Sequence, residues 1–118
     1  MMHIKPPAVA GFFYPDSAQV LRDTVRELMR DAHSEGAERP RALIAPHAGY
    51  QYSGATAACA YRLLEGRRDR IRRVVLLGPA HRVYLQGMAL PSVGAFSTPL
   101  GDVAIDAEAV EQALTSLR

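Results

Sequence analysis

A single cysteine, Cys59, in 118 residues rules out an internal disulfide and matches chains kept in a reducing cytoplasm. Net charge is small: 14 Lys and Arg against 12 Asp and Glu leave a formal +2, too little to argue for nucleic acid. No apolar run approaches the roughly 20 residues that span a bilayer, and no basic start leads into the apolar core of a signal peptide. Repeats and low-complexity tracts are missing, and so is any HExxH-type metal word. The expectation from these absences is a soluble cytoplasmic protein with neither a membrane nor a nucleic acid among its partners.

What is present suits a folded domain. Hydrophobic residues make up 48% and charged residues 22%, enough to bury a core in a chain of about one small domain. Lys5 to Pro15 (KPPAVAGFFYP) carries three prolines and a glycine around an apolar centre, which predicts an ordered arm lying on that core. Asp16 is placed to cap a helix, with Gln19 completing a capping box. Val20, Leu21, Val25, Leu28 and Met29 recur at helical spacing, so the first helix is expected from about Ser17 to Ala32. A polar connection, His33 to Pro40, follows.

Two short apolar runs come next, Ala42 to Ala45 and Val74 to Leu77. Runs without alternation suit strands covered on both faces, as in parallel sheets. Between them Ala55 to Leu64 is alanine-rich and unbroken, which predicts a helix that Gly66 would stop in a left-handed conformation. Strand, helix and strand in this order predict a βαβ core. Shorter strands are expected between Met88 and Ile105, with turns at Pro91-Ser92 and at Pro99 to Asp102. A last helix should begin near Asp106, with Val110, Ala113, Leu114 and Leu117 on one side. The fold class is therefore α/β: a mostly parallel sheet with flanking helices, in one domain over residues 1–118.

His47 follows the first apolar run and His81 the second. In a βαβ unit both would emerge at the carboxyl edge of the sheet, where open α/β folds bind ligands. Strands about 4.8 Å apart, or twice that, would let two imidazoles converge on one ion. One histidine at a strand end is more often structural, while two at equivalent positions weigh a shared site evenly against a structural pair. Nitrogen donors alone suit zinc, iron, copper or nickel, and a third ligand would decide among them.

Tyr50 and Tyr52 flank His47 and are candidates for a proton donor or substrate-orienting hydroxyl, set against ordinary packing with a hydrogen-bonded tip. Ser53 is expected to cap the second helix, whose N-terminus would then face the crevice and favour an anionic ligand. Arg82 would steer such a ligand or simply lie on the surface. The stretch Arg67, Arg68, Arg70, Arg72 and Arg73 reads as a solvated connection or, less simply, a phosphate or partner contact. Cys59, among alanines, reads as a small buried thiol. His3 and His33 are expected to be exposed.

Four words appear in order: AVAGFFYP at Ala8 to Pro15, PHAGYQYSG at Pro46 to Gly54, LGPAH at Leu77 to His81, and TPLG at Thr98 to Gly101. Together they resemble the Memo family, also labelled the AmmeMemoRadiSam system protein B family in microbes. That family is similar in fold to class III extradiol ring-cleaving dioxygenases, which implies an α/β sandwich around a metal site. By resemblance His47 and His81 match its two metal-binding histidines. Its last ligand is a cysteine much further along, and its members are more than double this length. The resemblance thus implies an incomplete domain, a fragment without the third ligand.

Two functions are consistent with this reading. One is a metal-dependent, dioxygenase-like oxidoreductase using iron, copper or zinc, with Tyr50 or Tyr52 positioning substrate. The other is a non-catalytic module that holds a metal, a peptide or a small metabolite in the same crevice. An uncovered sheet face would also drive self-association.

Overall fold

The computed structural model describes residues 2–35 and 39–116. In chain order these residues form β1 (Ile4–Lys5), α1 (Ala18–Asp31), α2 (Tyr50–Arg62), a 3-10 turn (Glu65–Arg67), β2 (Ala95–Thr98), β3 (Gly101–Ala104) and α3 (Ala107–Ser116). The architecture is mixed α/β. Its three-stranded sheet has the order β1-β2-β3, with β1 parallel and β3 antiparallel to β2.

The first helix lies where apolar spacing predicts it, but its cap is one residue later. Ser17 has extended backbone and its Oγ accepts the Val20 N–H at 3.4 Å. This puts Gln19 at the second helical position, whereas a capping box needs its acceptor at the third. Gln19 instead donates to the Asp23 carboxylate at 2.8 Å. Leu21 is buried and Val25, Leu28 and Met29 are half-buried, while Val20 stays exposed. Helix α2 packs on α1 at Gly54, where a Cβ would come within 3.1 Å of Leu28 Cδ1. Arg62 of α2 donates to the Met29 carbonyl, satisfying one of the acceptors that the end of α1 leaves open.

Helix α2 begins five residues earlier than its alanine-rich stretch suggests. Gly49 is its N-cap and no side chain caps it, so Ser53 sits inside the helix and is not the cap. At its far end Leu63 and Leu64 donate to the carbonyls of Ala60 and Tyr61 at 3.2 and 2.9 Å. These tighter bonds satisfy the terminal carbonyls without a left-handed residue. Gly66 accordingly lies in the 3-10 turn and is not among the glycines with positive φ.

The β2–β3 hairpin falls where turn residues were expected. Gly101 takes φ +126°, and Thr98 Oγ1 accepts the Leu100 N–H at 3.1 Å while donating to the Gly101 carbonyl at 2.8 Å. Asp106 then caps α3 by accepting the Ala109 N–H at 3.0 Å, and Arg73 Nε reaches its other oxygen at 2.6 Å. Of the predicted apolar side of α3, Leu117 lies outside the described residues, as do positions 36–38 of the polar connection.

The predicted βαβ core is the main correction. Residues 42–45 and 74–77 form no ladder among the described residues, and the parallel pair is β1 with β2. Val74, Val75, Leu76 and Leu77 are 74–81% exposed and Ile44 is fully exposed. Apolar composition supplies strand propensity, but a strand exists only where a neighbouring backbone supplies hydrogen bonds. Neither run has that neighbour here. The buried apolar core among the described residues comprises Leu21, Ala32, Ala58 and Ala95.

Candidate metal centre

Although their segments do not pair as strands, His47 and His81 meet. Their Nε2 atoms lie 3.0 Å apart, the ring centroids are 5.3 Å apart, and the planes are inclined by 31°. Both rings are exposed. The extended segments that carry them are tied at two places: the imidazoles meet after the runs, and Arg67 Nη1 donates to the Pro40 carbonyl at 3.2 Å before them. At least one of the five clustered arginines therefore holds the chain to itself, and Arg73 does the same through Asp106.

The two histidines are supported unequally. His47 precedes the N-terminus of α2, which the N-terminal arm grips. Residues Val9 to Tyr14 form a tight turn: Gly11 takes φ +81°, its N–H donates to the Tyr14 carbonyl at 2.8 Å, and the Phe12 and Phe13 N–H groups return to the Val9 carbonyl. The Phe13 carbonyl then accepts the Tyr50 N–H at 2.7 Å. A Cβ on buried Gly49 would stand only 3.5 Å from Phe13 Cα, so the arm and the histidine loop are in contact. Behind the loop, Ser53 Oγ donates to the Ala48 carbonyl at 2.9 Å. His81 has no such frame: residues 72–90 are exposed and a Cβ on Gly78 would meet nothing within 4 Å.

The two candidate tyrosines take different surroundings. Tyr50 is half-buried with its ring 5.9 Å from that of Tyr14. Burial, reinforced by the Tyr14 and Tyr61 phenols, raises its pKa, so its hydroxyl stays protonated at neutral pH. Tyr52 is 80% exposed, with its ring edge beside Gly49. The α2 N-terminus expected to receive an anion has already committed its Tyr50 N–H to Phe13. Arg82 is exposed on the His81 loop, and His3 and His33 are exposed as expected. No helix among the described residues is long and apolar enough to cross a membrane.

Comparison with known proteins supplies the family. The family described as Memo-like protein matches residues 5–117. The chain belongs to the Memo family. A MEMO1 family protein of Aquifex aeolicus is 38% identical over 113 residues, covering 96% of this chain and 40% of the relative. The MEMO1 family protein MHO1 of Saccharomyces cerevisiae is 36% identical over 111 residues, 91% of this chain and 32% of its own. Protein MEMO1 of Rattus norvegicus is 42% identical over 98 residues, 82% of this chain and again 32% of its own. The chain thus spans two-fifths or less of these Memo relatives.

Within this Memo-family chain, the described residues bring together two metal-capable donors and no more. No group of three or more His, Cys, Asp or Glu fit to hold an ion occurs among them. Cys59 lies on α2, half-buried, lining a cleft of about 470 Å³ between α1 and α2 with Leu28, Ala32 and Ala55. Within the site, Ser53 was expected as a helix cap and instead lies inside α2. Its signal was a small hydroxyl beside Gly54 and ahead of the alanine-rich stretch, where burial would force it to find an acceptor.

Proposed function

We propose that this chain contributes two ligands, His47 and His81, to the metal centre of a Memo-family oxidoreductase. The observation that supports the reading is the 3.0 Å separation of the two Nε2 atoms. Imidazole nitrogens bind such ions at about 2.0–2.1 Å, so two donors on one ion lie at most about 4.1 Å apart, and about 3.3 Å apart in a tetrahedral set. The donor set suits iron, copper or zinc, and a third protein ligand from outside these residues would choose among them. When bound, iron or copper would supply redox chemistry, and any of the three would act as a Lewis acid. The family's resemblance to class III extradiol dioxygenases favours redox chemistry with an open position for substrate.

The reading assigns work to the chain's own groups around that centre. The arm and α2 hold the His47 loop, and the exposed His81 loop closes on it from the other side. The protonated Tyr50 hydroxyl retains a proton to donate, and Tyr52 stands free to contact a substrate entering between the loops. Arg82 offers a cation on the same loop as His81.

A second reading is favoured by a different observation. Two exposed donors, without a third among the described residues, also describe a binding module that holds a metal, peptide or metabolite without turnover. In the absence of an ion, one neutral ring can donate its Nε2–H to the bare Nε2 of the other at this distance. Metal content and affinity decide first, measured on the purified chain and on a His47→Ala/His81→Ala double variant. Iron, copper or zinc near one per chain, lost in the variant, supports the centre. Equal binding by both proteins removes the histidine pair from it.

A further inference from the structure

Ser53 is the buried polar side chain of the described residues, 9% exposed, and its hydroxyl is directed at the loop that carries His47. A serine inside a helix commonly returns its hydroxyl to the carbonyl four residues back. Here that contact, to Gly49, is the longer one at 3.5 Å. The shorter bond, 2.9 Å, reaches past the N-cap to the Ala48 carbonyl, which lies outside the helix. The Gly49 carbonyl already accepts the Tyr52 and Ser53 N–H groups at 2.9 and 3.1 Å, whereas the Ala48 carbonyl accepts the serine hydroxyl. Ala48 is bonded to His47, so this contact sets the direction in which the histidine backbone leaves the helix. On the opposite side the Tyr50 N–H holds the Phe13 carbonyl at 2.7 Å.

We infer that Ser53 is a positioning residue for the His47 ligand, acting through the Ala48 carbonyl. The inference rests on the proposed metal centre. Its logic is that of any group that orients a ligand without touching the ion: losing it leaves the donor present but lets it wander. The imidazole of His47 is exposed and not packed, so its direction depends on how its backbone is held, by the arm on one side and by Ser53 on the other. Positioning groups of this kind typically change metal affinity by 10–100-fold. An effect relayed through one peptide unit belongs at the low end, about tenfold.

The test titrates Co²⁺ into the unaltered chain, Ser53→Ala, Ser53→Thr and the double histidine variant, recording affinity and the visible spectrum at saturation. Each protein's unfolding midpoint without metal is measured beside it. The expected result is about tenfold weaker binding in Ser53→Ala, with a shifted saturated spectrum, and recovery in Ser53→Thr, which keeps the hydroxyl. A merely structural serine would lower the unfolding midpoint and leave the saturated spectrum unchanged, and that outcome overturns the inference. If the unaltered chain binds Co²⁺ through the histidines and Ser53→Ala binds equally well, the inference falls and the centre stands. If the unaltered chain and the double histidine variant do not differ, both fall.

Discussion

At the scale of single residues, stability rests on few side chains. Leu21 is the large one in a core otherwise made of alanines, at 4% exposure. Truncating it removes buried methylene contacts and leaves a cavity, with costs of 2–5 kcal/mol in well-packed proteins. Its neighbours on α1 are only half-buried and can move inward, so Leu21→Ala should cost about 2–3 kcal/mol in urea unfolding. A loss below about 1 kcal/mol would mean that α1 does not pack through this face. Tyr50 makes a second prediction. Its native pKa is raised by burial, so the contribution of its neutral form is complete at neutral pH. That contribution is lost as pH climbs from the ordinary tyrosine value through the raised native one. Tyr50→Phe should therefore flatten the alkaline limb of the stability profile, and an unchanged limb would show that the ring titrates as if free.

At the scale of elements, α3 and the hairpin before it are fixed by local chemistry that can be removed piece by piece. The Ala109 N–H, foremost, and the Arg73 guanidinium hold the Asp106 carboxyl below its usual pKa. A lowered native pKa contributes stability that is present above the ordinary carboxylate value and lost as pH falls through the native one. Asp106→Asn keeps an N-capping side chain but loses the charge, so its deficit against the parent should close below about pH 4. A deficit independent of pH would rule out the carboxylate's charge as its source. Gly101, at φ +126°, occupies backbone space that a Cβ disfavours, and Gly101→Ala should destabilise the hairpin by about 1–3 kcal/mol, read from faster amide exchange in β2 and β3. These elements were legible in the sequence because their causes are local: the apolar period of α1, the Pro99 to Asp102 turn, and the helical spacing that follows Asp106. The start of α2 was not, because Gly49 gives no side-chain signal and the Phe13 carbonyl that receives Tyr50 lies far away along the chain. Two-residue β1 was illegible for the same reason, since only Ala95 and Phe96 make Ile4 and Lys5 a strand. The meeting of His47 and His81 was foreseen from a ladder that does not form. They meet without strand pairing, in segments that share one further contact, Arg67 with the Pro40 carbonyl.

At the scale of the whole molecule, the surface is larger than its mass accounts for. A folded monomer of 12.9 kDa should expose roughly 6,300 Å², and this chain exposes 10156 Å². Its radius of gyration, 15.7 Å, likewise exceeds the roughly 13.5 Å of a compact chain of this length. The exposed apolar side chains include a cluster in sequence, Val74 to Leu77 with Val83, Tyr84 and Met88, each at least 67% exposed. Stable protein interfaces bury about 1,200–2,000 Å² in total, well within the roughly 3,800 Å² of excess. The Val74 to Leu77 run also presents backbone N–H and C=O groups that no ladder among the described residues engages, a template for pairing with another chain. The isolated chain should therefore self-associate at micromolar concentration, seen as a sedimentation coefficient that rises with loading. Val75→Lys/Leu77→Lys places charge on that run, as natural sheet edges do, and should return the chain towards a monomer without touching the histidine pair. Its metal binding should then match that of the unaltered chain, separating the association surface from the centre. A parent that stays monomeric across the concentration range would show that the run is covered by the chain itself in solution. Association that persists in the double lysine variant would move the interface elsewhere, most directly to the exposed Val83, Tyr84 and Met88 on the loop that carries His81. In that case association and metal binding would be coupled, because the same loop would have to serve both.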